Sequence, residues 1–525
     1  MKEYIATVHD PKVWDQGLWD EIINHGRKSD AVPLRPVMVA NERPVNPYCA
    51  HFHLSPEEAV LLKSDPRVKN VELKTSLRKD IELTTGNYRP TYKYDKSNTT
   101  VYGMKNWGVA RGWSKTNNFG TATSINYALP YTLDGADVDI IVVDTGIAEG
   151  HPEFAWNADG SGGTRVVNYD WYSLGIYGTK TAGEMNGYLG DSDGHGSNCA
   201  SIAAGNTTGW APKANLYSIR IFEGYDMMEN YGRYLYAQDI DIVFDLVTAF
   251  HLEKKARGIK RPTICTNSWG YSTKVGYYYA TGTYFRGDYN AGSSWLTVWG
   301  QVSPANPVRV DSIDAAVKNC ADAGVILVGA AGNSTFKCDV PGGLDWDNYY
   351  DWYYSSEPYY NGSVYYNRGG TPSAADGMIC VGAMDNTTNL EQKVYFSCSG
   401  PRVDVYAPGV MIMGAYSARK YVTNPVTDPR MTNWIGVNPY SWNKISGTSQ
   451  ACPQVAGYLA LVAQARPDMT AEEARAFVIG ASAKGVLQNT TGDFYNFNAL
   501  QEGYNRVLYM PFNSADRGSI RVNLE

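Results

Sequence analysis

Val138-Asp-Ile-Ile-Val-Val-Asp-Thr-Gly146 is a short apolar run closed by an acid and a turn. Four consecutive aliphatic residues leave no polar face, which marks a strand buried on both sides, as in a parallel sheet. Similar runs recur at Leu216-Tyr-Ser-Ile-Arg-Ile, Thr263-Ile-Cys-Thr, Val325-Ile-Leu-Val, Met378-Ile-Cys-Val and Val403-Asp-Val-Tyr. Helical patterns fall near 196–205, 236–257, 311–323, 450–465 and 471–483. The last opens with the capping box Thr470-Ala-Glu-Glu. Strands alternating with helices predict an α/β fold with a mainly parallel central sheet.

Outward from this region the pattern changes. Residues 1–74 read as a small α+β unit: strands at Tyr4-Ile-Ala-Thr-Val, Ala50-His-Phe-His-Leu and Val68-Lys-Asn-Val-Glu-Leu, with helices near Leu18 to Ile23 and from Ser55-Pro-Glu-Glu. Ser55 caps that second helix, Pro56 sits in its first turn and Glu58 completes a capping box. Residues 75–105 are polar with little periodicity, a linker or wrapping arm. The α/β unit spans 106–484, and 485–525 reads as a polar tail. Long aromatic loops near 155–190, 271–310 and 335–370 interrupt the α/β unit, and loops of that length are usually functional. No internal repeat is present.

Composition narrows the function classes. The 525 residues exceed one ordinary domain. With 43% apolar and 19% charged residues the chain can bury a large core. A net charge of −7 without a basic run offers nothing to nucleic acid or an anionic membrane surface. No apolar stretch approaches a membrane span, and the N-terminus does not read as a secretory signal, so the compartment stays unassigned. Eight cysteines lack any CxxC pair, which disfavours a zinc cage and suits reduced, mostly buried thiols.

Three polar residues stand where chemistry is possible. Asp144 closes its strand at the carboxyl edge of the sheet, where open α/β folds place their sites, although Asp-Thr-Gly alone is more readily a strand-end turn. His195, in Asp193-Gly-His-Gly-Ser, opens a small-residue helix and could be no more than a cap. The region's other histidines read as structural: His151 in a turn and His251 on an exposed helix end. Ser449, in Ser446-Gly-Thr-Ser-Gln-Ala-Cys-Pro, starts a helix whose unpaired N–H groups and dipole favour a nucleophile and an oxyanion. Pro453 is expected within the first turn, where its missing N–H costs little.

Asp144-Thr-Gly, His195-Gly-Ser and Gly447-Thr-Ser-Gln-Ala-Cys-Pro together resemble the signature blocks of the subtilisin (S8) family, in that family's order. Thr266-Asn-Ser-Trp-Gly270, Gly329-Ala-Ala-Gly-Asn333 and Val403-Asp-Val-Tyr-Ala-Pro-Gly409 resemble supporting blocks. The resemblance covers about 106–483 and, more loosely, 1–74, which looks like the family's inhibitor-like propeptide. It implies a three-layer α/β/α fold preceded by a ferredoxin-like propeptide domain. It also implies a serine endopeptidase with Asp144, His195 and Ser449 as triad and Asn333 as oxyanion donor. Ser268, Trp269, Gly270, Ala331 and Gly332 would contact the substrate, with the Trp269 side chain filling part of a subsite. The implied partners are a peptide or protein substrate and the chain's own propeptide as inhibitor, with autocleavage within 75–105.

Departures from the pattern are specific. Gln450, Cys452 and Gln454 replace the usual Met, Ser and His, while Asn198 and Cys199 replace His and Val. Cys199 is expected near His195, making activity thiol-sensitive. The segment 204–212 is short where many relatives carry a calcium loop, so no cofactor is required and calcium is not implied. Asp191, Asp193 and Asp339 read as solvated loop acids. The rival readings are a binding protein on an inactive protease fold and a protease acting once on itself.

Overall fold

The computed structural model describes residues 1–24, 29–78, 80–85, 106–113, 133–157, 160–177, 190–191, 193–221, 224–226, 233–235, 240–273, 280–291, 306–353, 361–385, 391–417, 435–437, 440–488 and 498–511. Its centre is a nine-stranded sheet. In spatial order the strands are 483–484, 506–507, 405–408, 378–384, 326–330, 263–267, 139–144, 215–220 and 166–167. All neighbours are parallel except the first pair.

Alternation along the strands builds the layers. Ile140 and Val142 face one core, packed by the helices His195–Ala204, Thr448–Ala465 and Ala471–Ala481. Ile141 and Val143 face the other, packed by Val243–Ala256 and Asp311–Asp322. The sheet is therefore sandwiched between helices, the three-layer α/β/α arrangement. Both capping boxes form, Ser55 with Glu58 and Thr470 with Glu473.

Residues 1–73 build their own antiparallel sheet, ordered 39–41, 49–54, 2–8, 68–73. The strand 39–41 has no counterpart in the sequence reading. One face of this sheet carries Ala6, Val8 and Phe52 against the helices 19–23 and 56–63. The other carries Cys49 and His51 towards the catalytic unit, where Cys49 Sγ donates to Ser312 O at 3.7 Å.

Three stretches read as linker, loop or tail carry structure. Within 75–105, Ile81–Thr85 is a strand, paired antiparallel with Trp269–Thr273; residues 86–105 lie outside the described residues. The insertions 271–310 and 335–370 jointly form a four-stranded antiparallel sheet, ordered 288–291, 280–285, 349–353, 361–364. Beyond 485, Arg506–Val507 enters the main sheet and Leu508 and Met510 join its core. The reason is shared: an edge or open face takes its partner from a distant segment whose sequence shows no periodicity.

Candidate active site

The site lies along the carboxyl edge of the main sheet. Asp144 ends the strand 139–144, Ser268 follows 263–267, and Asn333 follows 326–330. His195 and Ser449 stand in the first turns of two helices that cross closely. Gly457 sets that approach, because a Cβ there would lie 2.3 Å from Ala203 O. Gly194, at φ 99°, turns the chain into the histidine helix, and a Cβ there would strike the Tyr416 ring at 2.8 Å.

His195 Nδ1 donates to Asp144 Oδ1 at 2.7 Å, with both side chains buried. A carboxylate can only accept, so the proton sits on Nδ1 and the lone pair on Nε2. Nε2 has no hydrogen-bond partner among the described residues. Burial alone would lower the imidazole pKa; the Asp144 carboxylate outweighs it and holds the pKa well above the ordinary value. Ser449 Oγ donates to Ser268 O at 3.3 Å, so the hydroxyl is parked on the strand rather than on the imidazole.

Asp191 organises the histidine helix. Its carboxylate accepts from Thr145 Oγ1, Asp193 N, Gly194 N, Ser197 N and Ser197 Oγ at 2.7–3.1 Å. Asp339 likewise is buried and accepts from Val340 N and Asp345 N. Neither is a solvated loop acid as read; local backbone donors captured both. Burial and the neighbouring Asp191 push the Asp193 carboxyl up to about 6. In the short segment after Ala204, Glu153 accepts from the backbone of Thr207 and Thr208. The Arg165 guanidinium alongside donates to four carbonyl oxygens, of Glu153, Ala155, Ala204 and Ala214.

Pro453 corrects the sequence reading in a useful way. The serine helix begins at Thr448, so Pro453 stands inside it, past the first turn. Its missing N–H releases the carbonyl four residues earlier, that of Ser449. Ser268 Oγ donates to this oxygen at 2.9 Å and Cys199 Sγ at 3.4 Å. Cys199 Sγ also lies 3.9 Å from His195 Nδ1, so the thiol touches both functional residues. Burial raises its pKa. All eight cysteines are buried and unbridged.

A cavity of about 220 Å³ opens beside Ser449. Ser268, Trp269, Gly270, Ala331, Gly332 and Asn333 all line it, and its described lining carries no carboxylate, amine or guanidinium. Asn333 Oδ1 accepts from Thr448 N at 2.8 Å and Thr448 Oγ1 at 2.9 Å, which assigns the donor role to Nδ2. Trp269 lines the cavity with little surface: the residue is 3% exposed and its ring stacks on Phe244 in the core. His251 differs from expectation, being buried on its helix with Nδ1 2.9 Å from Thr263 Oγ1. Burial and the nearby lysines push its pKa down to about 4. His151, whose Nδ1 accepts from Glu153 N at 3.1 Å, caps a turn.

Ser449 and the oriented Asn333 amide line one cavity at the carboxyl edge of the sheet, and the acid–imidazole pair lies behind it, joined to Ser449 O through the Cys199 thiol. The chain belongs to the subtilase family, whose model (Peptidase_S8) matches residues 135–502. It is 24% identical over 477 residues to the subtilisin-like serine protease Pen ch 18 of Penicillium rubens, spanning 88% of this chain and 69% of that protein. It is 25% identical over 468 residues to alkaline protease 2 of Aspergillus fumigatus, spanning 87% and 68%. Its fold is similar to fervidolysin from Fervidobacterium pennivorans, a keratinolytic enzyme related to subtilisin, with a TM-score of 0.52 at 18% identity over 97% of this chain and 60% of that one. The protein is a subtilisin-like serine endopeptidase. Among the described residues no helix is long and apolar enough to cross a membrane.

Proposed function

We propose that Ser449 is the nucleophile of an Asp144–His195–Ser449 triad, held in check by the chain's own N-terminal region. The observation that carries the reading is the pairing of Ile81–Thr85 with Trp269–Thr273, which ends beside Ser268, the residue bonded to Ser449. An extended substrate would add to the same strand edge by backbone hydrogen bonds.

In the reaction Ser449 Oγ turns from Ser268 O, attacks the peptide carbonyl and gives its proton to His195 Nε2. His195 then delivers that proton to the leaving amine, and water releases the acyl group by the reverse sequence. Asp144 holds the tautomer and stabilises the imidazolium. Asn333 Nδ2 and the Ser449 N–H receive the developing oxyanion. No cofactor enters these steps, so chelator leaves turnover unchanged on this reading.

Residues 1–74 act as an intramolecular inhibitor whose following strand fills the substrate edge. Thr85 stands opposite Trp269, one residue from Ser268, which supports a processing bond beyond Thr85 in the 75–105 segment. A fluorophosphonate probe tests the whole reading. It is expected to label the wild type but not Ser449→Ala, and the wild type alone should acquire a new N-terminus between residues 86 and 105. Equal labelling of both proteins, or full activity from an uncleaved chain, would overturn it.

A further inference from the structure

We propose that the sheet built by the two insertions forms an exosite for the stretch of a protein substrate upstream of the strand-paired residues. The proposal rests on the strand-addition reading above. Antiparallel pairing fixes direction: the chain enters the strand edge at Thr273, opposite Ile81, and leaves it at Trp269, opposite Thr85, towards Ser449. A substrate laid the same way has five residues paired, and everything earlier must emerge at the Thr273 end.

A groove of about 1340 Å³ begins there. Ile81, Thr273 and Val308 line it; Lys69, Asn70 and Glu72 of the N-terminal unit close part of it until activation removes them, while Trp352, Tyr365 and Arg368 of the insertion stay with the catalytic unit. The chain itself indicates the occupant, because Arg78 and Asp80, just upstream of the paired strand, already line this groove. The insertion wall is preorganised. The Arg368 guanidinium lies 3.5 Å from the Tyr365 ring centroid and 5.0 Å from that of Trp346, while its Nε donates to Trp346 O at 3.0 Å. Arg368 Nη2 is held by Asp347 Oδ1 at 2.9 Å, so this cation–aromatic ledge offers flat faces and its remaining N–H groups to an extended polypeptide. Acids and bases both occur along the groove, so it suits polar, mixed-charge segments rather than an apolar helix.

The test uses the full-length protein after its own activation and one quenched peptide that it cleaves. The peptide is supplied with five residues before the scissile bond, and again with about eight more of mixed charge. Extension is expected to raise kcat/KM about tenfold, chiefly through KM, as remote contacts do when they bind ground and transition states alike. Tyr365→Ala and Arg368→Ala are each expected to reduce that long-to-short ratio below about threefold. Probe labelling at Ser449 reports whether each variant is folded; should Arg368→Ala fail to label, Tyr365→Ala, which removes only the ring, decides. A gain below twofold on extension, or an unchanged ratio in the folded variants, overturns the exosite. The strand reading fails separately if trimming the five paired residues to two leaves kcat/KM unchanged, and the exosite falls with it.

Discussion

The central sheet and the seam beneath the N-terminal unit are built from opposite materials. Ile140, Val142, Ile264 and Val328 bury aliphatic side chains to 1% exposure or less, against helices equally apolar. Across the seam, Arg43 pairs with Asp245 in a bidentate contact with both side chains fully buried. His51 links Arg43 to Glu3, Thr75 Oγ1 donates to Asp241, Asn70 to Asp311, and Ser312 N to Glu72. Apolar burial is lost outright when surfaces part, because water does not compensate it. Buried ions regain their hydration on separation, so their net contribution to docking is small while they stay matched. The difference marks the sheet as permanent and the seam as a contact able to open, as between domains that move.

The largest effects test the seam. Arg43→Met leaves Asp245 buried and unpaired, a loss of about 3–5 kcal/mol in docking. In full-length Ser449→Ala, hydrogen exchange over residues 2–54 should rise while the strand 139–144 stays protected. Equal acceleration in both regions would erase the distinction drawn here. Replacing both partners, Arg43→Met with Asp245→Leu, should restore docking or tighten it by about 1–4 kcal/mol, seen as a longer lag before activity appears.

Leu459→Ala tests the sheet. A fully buried leucine of the serine helix is removed, at about 2–5 kcal/mol. The unfolding midpoint of the catalytic unit should fall, with exchange rising across the main sheet. A variant that released only the N-terminal unit would contradict the comparison.

A smaller effect concerns the ion pair buried inside the permanent region. On the proposed mechanism the neutral imidazole of His195 is the active base, and its pKa is raised chiefly by Asp144 against the opposing effect of burial. Protonation therefore blocks the base up to a pH above the ordinary histidine value, and kcat/KM should climb through an acid limb lying above about 6.5. In Asp144→Asn that limb should move down, because the largest interaction opposing burial is gone and only the Cys199 contact remains against it; a stationary limb would assign it to another group.

The smallest compares one local device in both regions. Ser55→Ala and Thr470→Ala each remove a capping box at about 1 kcal/mol. Only Ser55→Ala should speed exchange within residues 2–73, read as local rather than global opening.

Much of this molecule is legible along the chain. Runs such as Ile140-Ile-Val-Val identify the buried strands, and the two capping boxes mark helix starts to the residue. Asp144, His195, Ser449 and Asn333 are recognisable because their blocks are local strings. The miss at Pro453 has a clear origin: the string shows the proline, but only the register of the helix shows that the released carbonyl belongs to Ser449. Trp269 was placed by position alone, and its neighbour Phe244, 25 residues earlier, decides which way the ring packs.

By itself, then, the sequence determined the layer order, the two capped helix starts and the candidates for the reacting groups, since each depends on periodicity or residues within a turn or two. Tertiary structure alone decided that Ile81–Thr85 pairs with Trp269–Thr273, that strands of two separate insertions share one sheet, and that Arg506–Val507 returns to the core. Those contacts are backbone pairings between distant strands, and a backbone hydrogen bond leaves no mark on the side chains that carry the sequence pattern.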